Sequence, residues 1–88
     1  MKFGKAVRDA RTRKRMTLSD LAERVGITKG YLSGIETCSI SPPRHEKVKR
    51  IARFLGLDYE AMAILAVLDS QSREVRKILI DAIGGEVA

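Results

Sequence analysis

The segment Leu21–Glu36, which reads LAERVGITKGYLSGIE, constrains the fold of this chain more than any other stretch. Its apolar residues follow helical spacing, but Gly26 is typical of a helix end and Ile27–Thr28 leads at once into another helix. Two more glycines, Gly30 and Gly34, stand inside the second helix, where each costs roughly 1 kcal/mol relative to alanine. A requirement other than local helix stability therefore shapes this segment.

The ends of the two helices are encoded locally. Thr17 precedes the first apolar position, and Asp20 three residues later completes a variant capping box, with Asp where Glu or Gln is usual. Thr28 is placed to cap the second helix. A small residue, Ala22, falls where the helices would cross, and Gly26 can supply the positive φ of the turn. These features predict a helix-turn-helix; an ordinary αα-corner in a helical bundle is the alternative.

Helical periodicity also dominates the rest of the chain, and no alternating strand pattern is present. The sequence predicts an all-α fold, with a helix-turn-helix domain over residues 1–68 and a C-terminal helical extension, assigned to dimerisation, over residues 69–88. The predicted inward positions are Phe3, Ala6, Val7, Ala10; Leu18, Leu21, Ala22, Val25; Leu32, Ile35; Val48, Ile51, Ala52, Leu55; the run Tyr59 to Leu68; and Val75, Ile78, Leu79, Ala82, Ile83.

Positive charge is concentrated on both sides of the motif. The net charge is +6, and it divides into +6 over residues 1–15, −1 over 16–41, +4 over 42–57 and −3 over 58–88. A solvated face explains any one such cluster, but two basic clusters that bracket a helix-turn-helix pattern favour an anionic partner. The cations near the two ends of the motif are candidate phosphate contacts: Arg13, Lys14, Arg15, Arg44 and Lys47.

Several function classes find no support in the sequence. Cys38 is the single cysteine, which excludes a disulfide within the chain and a Cys-x-x-Cys metal site. His45 is the lone histidine and is interpreted as a surface or phosphate-side residue. The longest apolar run, Ala61–Leu68, is far shorter than the ~20 residues of a membrane span. We therefore expect a cytoplasmic protein with no cofactor, no metal, no membrane contact and no enzymatic activity.

The motif LSDLAERVGITKGYLSGIE fits the pattern L-S-x-L-A-x-x-x-G-[VI]-x-K-x-Y-L-S-x-I-E, and Pro43 and VKRIARFLGL follow at matching spacing. In these features residues 1–57 resemble the Xre-type, phage-repressor-like helix-turn-helix domains, most closely the biofilm-repressor branch. The resemblance implies a lambda-repressor-like domain of about five helices plus a C-terminal helix. It also implies a dimeric bacterial or phage transcription factor whose partner is double-stranded DNA.

The resemblance assigns roles to individual positions. The helix from Thr28 to Glu36 would be the recognition helix. Its candidate base-reading residues are Thr28, Lys29, Tyr31 and Ser33, with Thr37 as an additional position. An ion pair between Arg11 and Glu36 would tie the first helix to the recognition helix.

The chain departs from the resembling phage repressors where those often read bases with glutamines. Two corresponding positions are Gly30 and Gly34, and Leu18 replaces the usual glutamine at the start of the second helix. One interpretation is that glycine lets the backbone lie closer to the groove, so that short side chains still reach the bases. The other is drift in a binder of low specificity.

The run AMAILAVL, Ala61–Leu68, predicts a second subunit. A helix that is apolar all round must be covered all round, and the first four helices can cover only one side. We expect Met62, Leu65 and Leu68 to meet the same surface across a two-fold axis. The recognition helices would then lie about 34 Å apart, one turn of DNA. The alternative is a monomer in which the helix from Arg73 to Ile83 folds back over the run.

These features together predict a sequence-specific transcriptional repressor that binds a two-fold operator as a homodimer. An antitoxin, which would bind a toxin as well as DNA, is an alternative within the same class. A protein-interaction module that kept the fold but lost operator binding, in the manner of a coactivator or anti-repressor, is an alternative of a different class. An antagonist protein and a toxin are the candidate protein partners.

Overall fold

The computed structural model describes residues 2–70, and every regular element in that range is an α-helix. The five helices are α1 (Phe3–Arg13), α2 (Leu18–Val25), α3 (Lys29–Glu36), α4 (His45–Leu55) and α5 (Tyr59–Ser70). The all-α prediction is confirmed. The predicted helix from Arg73 to Ile83 lies outside the described residues.

The predicted helix ends form as expected. The Thr17 hydroxyl accepts a hydrogen bond from the Asp20 N–H at 3.0 Å, and the Asp20 carboxylate accepts one from the Thr17 N–H at 3.1 Å. The backbone hydrogen bond from Thr17 holds the pKa of the Asp20 carboxyl below its usual value. Gly26 ends α2 with a φ of 81°, and the Thr28 hydroxyl caps α3 at the Tyr31 N–H. The turn between α2 and α3 is thus fixed on both sides by local signals.

The core contains the predicted inward residues of the first four helices, with one exception, and Met62 and Ala66 of the run Tyr59 to Leu68. Leu18 is the exception in the first four helices, because it is half-buried at the edge of the core. The predicted inward positions from Val75 to Ile83 lie outside the described residues. Full burial of each large aliphatic or aromatic side chain contributes about 1.5–3 kcal/mol. The most deeply buried side chains are Phe3, Val7, Leu21, Val25, Leu32, Ile35, Val48 and Ile51.

Gly4 marks the closest contact between α1 and α3. A Cβ added at Gly4 would lie 2.0 Å from the Ile35 carbonyl oxygen, which is backbone and has no room to move aside. Only glycine fits this crossing. The first turn of α1 is therefore held directly against the backbone of α3.

The end of α5 caps the beginning of α1. Lys2 provides no side-chain cap for α1, and the Phe3 N–H instead donates to the Asp69 carboxylate at 2.5 Å. α5 continues without interruption to Ser70. The boundary that the sequence analysis placed between residues 68 and 69 therefore falls inside a helix, and Asp69 belongs to the folded unit.

The structure corrects one residue of the predicted dimer surface. Met62 is only 4% exposed and is part of the core of its own subunit, so its side chain is not available to a second subunit. The side chains that α5 turns outward are Ile64 and Val67, which are 61% and 53% exposed. Leu65 and Leu68 are half-buried.

Candidate nucleic-acid interface

The exposed face of α3 is centred on Gly30. Successive helical residues are about 100° apart, so Gly30 lies about 200° from Leu32 and about 140° from Ile35 around the helix axis. Both of those residues are buried, and Gly30 is exposed almost opposite them. Lys29 and Tyr31 lie about 100° to either side of Gly30 and form the flanks of this face.

The candidate base-reading residues differ in how free their side chains are. Lys29 is exposed and Ser33 is half-buried, and within residues 2–70 neither side chain forms a hydrogen bond or ion pair. The Thr28 hydroxyl is used as the cap of α3. The Thr37 hydroxyl is held by the Ser33 carbonyl at 3.1 Å and by the Ser39 hydroxyl at 2.9 Å. Lys29 and Ser33 are therefore the side chains with the most bonding capacity left for a ligand.

Tyr31 connects α3 to the start of α4. The Lys47 ammonium lies 5.4 Å from the centroid of the Tyr31 ring, within the range of a cation–π contact. One predicted base-reading residue thus contacts one predicted phosphate residue. The contact shows that Lys47, in the basic N-terminal part of α4, lies next to α3.

Four of the five predicted phosphate residues form two separate groups, and the fifth, Arg15, is exposed in the turn after α1 with a φ of 57°. Arg44 and Lys47 are at the start of α4, whereas the Lys14 ammonium lies near Gly56 at its C-terminal end. Arg13 lines a groove beside Leu57 in the turn that follows α4. α4 has 11 residues and is about 16 Å long, so it separates the two groups.

None of these five cations forms an ion pair within the described part of the chain. The ion pairs there are Lys5–Asp9, at 2.9 Å, and Arg11–Glu36, at 2.7 Å. Arg13 interacts electrostatically with the nearby Asp9 carboxylate, and the positive charge of the other four cations is available to an anionic ligand.

Arg11 and Glu36 lock α3 in place from the core side. The Arg11 Nε and Nη2 donate to the two carboxylate oxygens of Glu36 at 2.7 and 3.0 Å, and Nη1 donates to the Met16 carbonyl at 2.7 Å. The side chains are 12% and 4% exposed. The hydrogen bonds with Glu36 raise the pKa of Arg11 above its usual value. One guanidinium thus joins α1, α3 and the loop before α2.

The two glycines of α3 differ in their surroundings. A Cβ at Gly34 would lie 2.3 Å from the Ile40 Cδ1, because the loop after α3 folds Ile40 against this position. Gly34 is accordingly buried. A Cβ at Gly30 would meet nothing within 4 Å. Packing therefore explains Gly34 without any ligand, and the interpretation that both glycines let the backbone approach the groove is wrong for Gly34.

The structure also shows contacts that could not be predicted from the sequence. The Arg50 Nη1 donates to the Val25 carbonyl at 3.2 Å and so satisfies the C-terminal end of α2. The Tyr59 hydroxyl forms a hydrogen bond with the His45 imidazole. The two rings meet edge to face, with 5.2 Å between their centroids. His45 is exposed, and this contact places it at the junction of α4 and α5.

Other kinds of site find no support in residues 2–70. No group of His, Cys, Asp and Glu in that range is arranged to hold a metal ion. None of the helices described there is long and apolar enough to cross a bilayer. Cys38 is a free, exposed thiol with a φ of 64°.

Comparison with known sequences agrees with this geometry. A family described as a helix-turn-helix domain matches residues 2–65. The trifunctional NAD biosynthesis/regulator protein NadR of Salmonella typhimurium and that of Escherichia coli are each 42% identical over 43 residues, which is 49% of this chain. The match spans only 10% of the length of each NadR protein.

Two solved structures have a similar fold. The master regulator for biofilm formation SinR, in complex with DNA, superimposes with a TM-score of 0.64 at 28% identity, over 69% of this chain and 97% of that one. The complex of the SinR protein with the SinI protein gives a TM-score of 0.64 at 26% identity, over 98% of this chain and 82% of that one.

Proposed function

The chain belongs to the helix-turn-helix domain family as an Xre-type regulator, and we propose that it represses transcription by binding a two-fold DNA operator as a homodimer. The observation that carries the proposal is the surface around α3. Its exposed face, centred on Gly30, lies beside the unpaired cations at the start of α4, to which Tyr31 is joined through Lys47. The DNA-bound state of the similar protein SinR supports DNA as the ligand.

The surface has the two kinds of group that an operator requires. Cations that bind phosphates release condensed counterions and supply affinity without sequence preference. The cations at the start of α4 would bind phosphates beside α3 and fix its register, and the group containing Lys14 would add phosphate contacts at the other end of α4. Groups on α3 then read the edges of the bases in the major groove, which is wide enough for an α-helix. Lys29 can donate to guanine, and Ser33 can bond either kind of base edge.

We assign dimerisation to the outward side of α5 together with residues 69–88. Ile64 and Val67 leave α5 with a continuous apolar side that the other described helices do not cover, and Leu65 and Leu68 lie at its edge. A second copy across a two-fold axis would bury this side. The location in the acidic third of the chain keeps the interface separate from the basic surface around α3.

A protein partner is the second part of the proposal. The SinR–SinI complex supports an antagonist protein that binds this regulator, because the similarity to it extends over nearly the whole chain. Such a partner would control the regulator through its availability for DNA. The described residues contain no other element assigned to ligand sensing.

Selection of bound sites from a random DNA library tests the function directly. We expect one enriched sequence with two-fold symmetry and half-sites about one helical turn apart. Its affinity should exceed that of a scrambled duplex and should fall linearly with salt on a double-logarithmic scale. If no sequence is enriched, and competitor DNA removes all binding, the interaction-module interpretation replaces the operator-binding one.

A further inference from the structure

No contact in the described part of the protein requires a glycine at position 30. The other glycine of α3, Gly34, is covered by the Ile40 side chain, and Gly4 is needed because a carbonyl of α3 occupies the space of a side chain. Gly26 is needed for its positive φ. Gly30 has an ordinary helical backbone, is exposed, and would accept a Cβ with no neighbour within 4 Å. Alanine there would give a more stable helix.

The position of Gly30 determines how closely α3 can approach a ligand. It lies at the middle of the exposed face of α3, between Lys29 on one flank and Tyr31 on the other. The Cα atoms of a helix lie about 2.3 Å from its axis, and its side chains extend to about 5–6 Å. A helix that presents glycine at this point can therefore lie about 3 Å closer to a flat surface than one that presents a long side chain.

Resting on the function proposed above, we infer that Gly30 is the specificity-determining point of closest approach, where the backbone of α3 itself contacts the base edges of the operator. The close approach lets short side chains of α3 reach base edges that only long side chains would otherwise reach. Ser33, about 60° from Gly30 around the helix and one turn along it, is brought within reach of the base edges. Lys29, on the same side of Gly30 as Ser33, then reaches a guanine before its side chain is fully extended.

The variant Gly30→Ala separates this role from a structural one. Alanine in a helix is favoured over glycine, so the melting temperature should rise by roughly 2–8 °C. The same methyl group would stand between the helix and the bases. We expect the ratio of affinities, for the sequence selected by the wild type over a scrambled duplex, to fall by fivefold or more. Affinity for the scrambled duplex should stay within twofold, because that binding depends on phosphates.

Glu60→Ala is the matched control, because it also places alanine on an exposed helical face, in the first turn of α5. It should leave the affinity ratio unchanged. A fall of less than fivefold in the ratio for Gly30→Ala, with a wild type that does select a sequence, overturns the inference about Gly30 alone. A wild type that selects no sequence overturns the proposed function instead, so the two failures are distinguishable.

Discussion

Glu36→Ala should be among the most destabilising single substitutions of a charged side chain in residues 2–70. Glu36 is the one charged residue in the buried set of residues 2–70, and both of its carboxylate oxygens accept hydrogen bonds from Arg11. Removal of one partner of a buried pair costs about 3–5 kcal/mol, because the remaining charge is left without its counter-ion. That is a large part of the roughly 5–15 kcal/mol that stabilises a typical domain.

The pair Lys5–Asp9 provides the comparison within the same molecule. It joins an ammonium to a carboxylate at 2.9 Å, but the side chains are 66% and 43% exposed. Exposed pairs of this kind contribute little to stability, because water screens the two charges. Asp9→Ala should therefore change the free energy of unfolding several-fold less than Glu36→Ala, although the two ion pairs have similar lengths.

Urea denaturation followed by far-ultraviolet circular dichroism measures both variants. We expect the Glu36→Ala midpoint to fall well below that of Asp9→Ala, with the wild-type m-value retained. A double variant, Arg11→Met with Glu36→Met, should recover most of the loss, since a buried pair can often be replaced by apolar residues of similar volume. Equal and small effects for Glu36→Ala and Asp9→Ala would refute the reasoning, because burial would then not decide the cost.

Three further predictions concern the proposed function. Lys14→Ala and Arg44→Ala should each weaken selected and scrambled DNA alike and reduce the salt slope of log K by roughly 0.9 per lost phosphate contact; unchanged slopes for both would exclude them from the interface. Lys29→Ala or Ser33→Ala should cost about 1–3 kcal/mol of discrimination at one or two operator positions, whereas equal losses on all sequences would restrict them to the DNA backbone. Ile64→Asp should abolish the dimer in light scattering while helicity is kept, and a wild type that is monomeric at high concentration would contradict the interface.

Local signals allowed the sequence to predict most of the fold. The capping box of Thr17 and Asp20, the stop at Gly26 and the cap at Thr28 each depend on groups no more than four residues apart, and all are present. Amphipathic periodicity identified the inward faces of the first four helices for the same reason, since a helix with one apolar side has a defined inward direction.

The sequence could not assign the inward face of α5, and the error at Met62 has this cause. A run that is apolar on every side carries no direction, so the choice among its residues depends on how α5 crosses α1 and α4. The contact Phe3–Asp69 depends on the same crossings, whereas Arg50–Val25 depends on how α4 packs against α2, and both contacts join residues far apart in the chain. Gly34 needed the path of the loop to Ile40 before its role could be separated from that of Gly30.

Several long-range contacts hold α3 and the turn that precedes it. Arg11 holds the C-terminal end of α3 through Glu36, Gly4 brings the backbone of α1 against it, and Arg50 fixes the end of α2 from which it starts. A helix held by two contacts with α1, after a turn that Arg50 fixes, loses little further freedom when it binds, so less of the binding free energy is spent on ordering it. Such a helix can discriminate by where its backbone is placed rather than by long side chains that search for partners. Under this reasoning a loss of the Arg11–Glu36 pair would lower specificity as well as stability, whereas an added side chain at Gly30 would lower specificity alone.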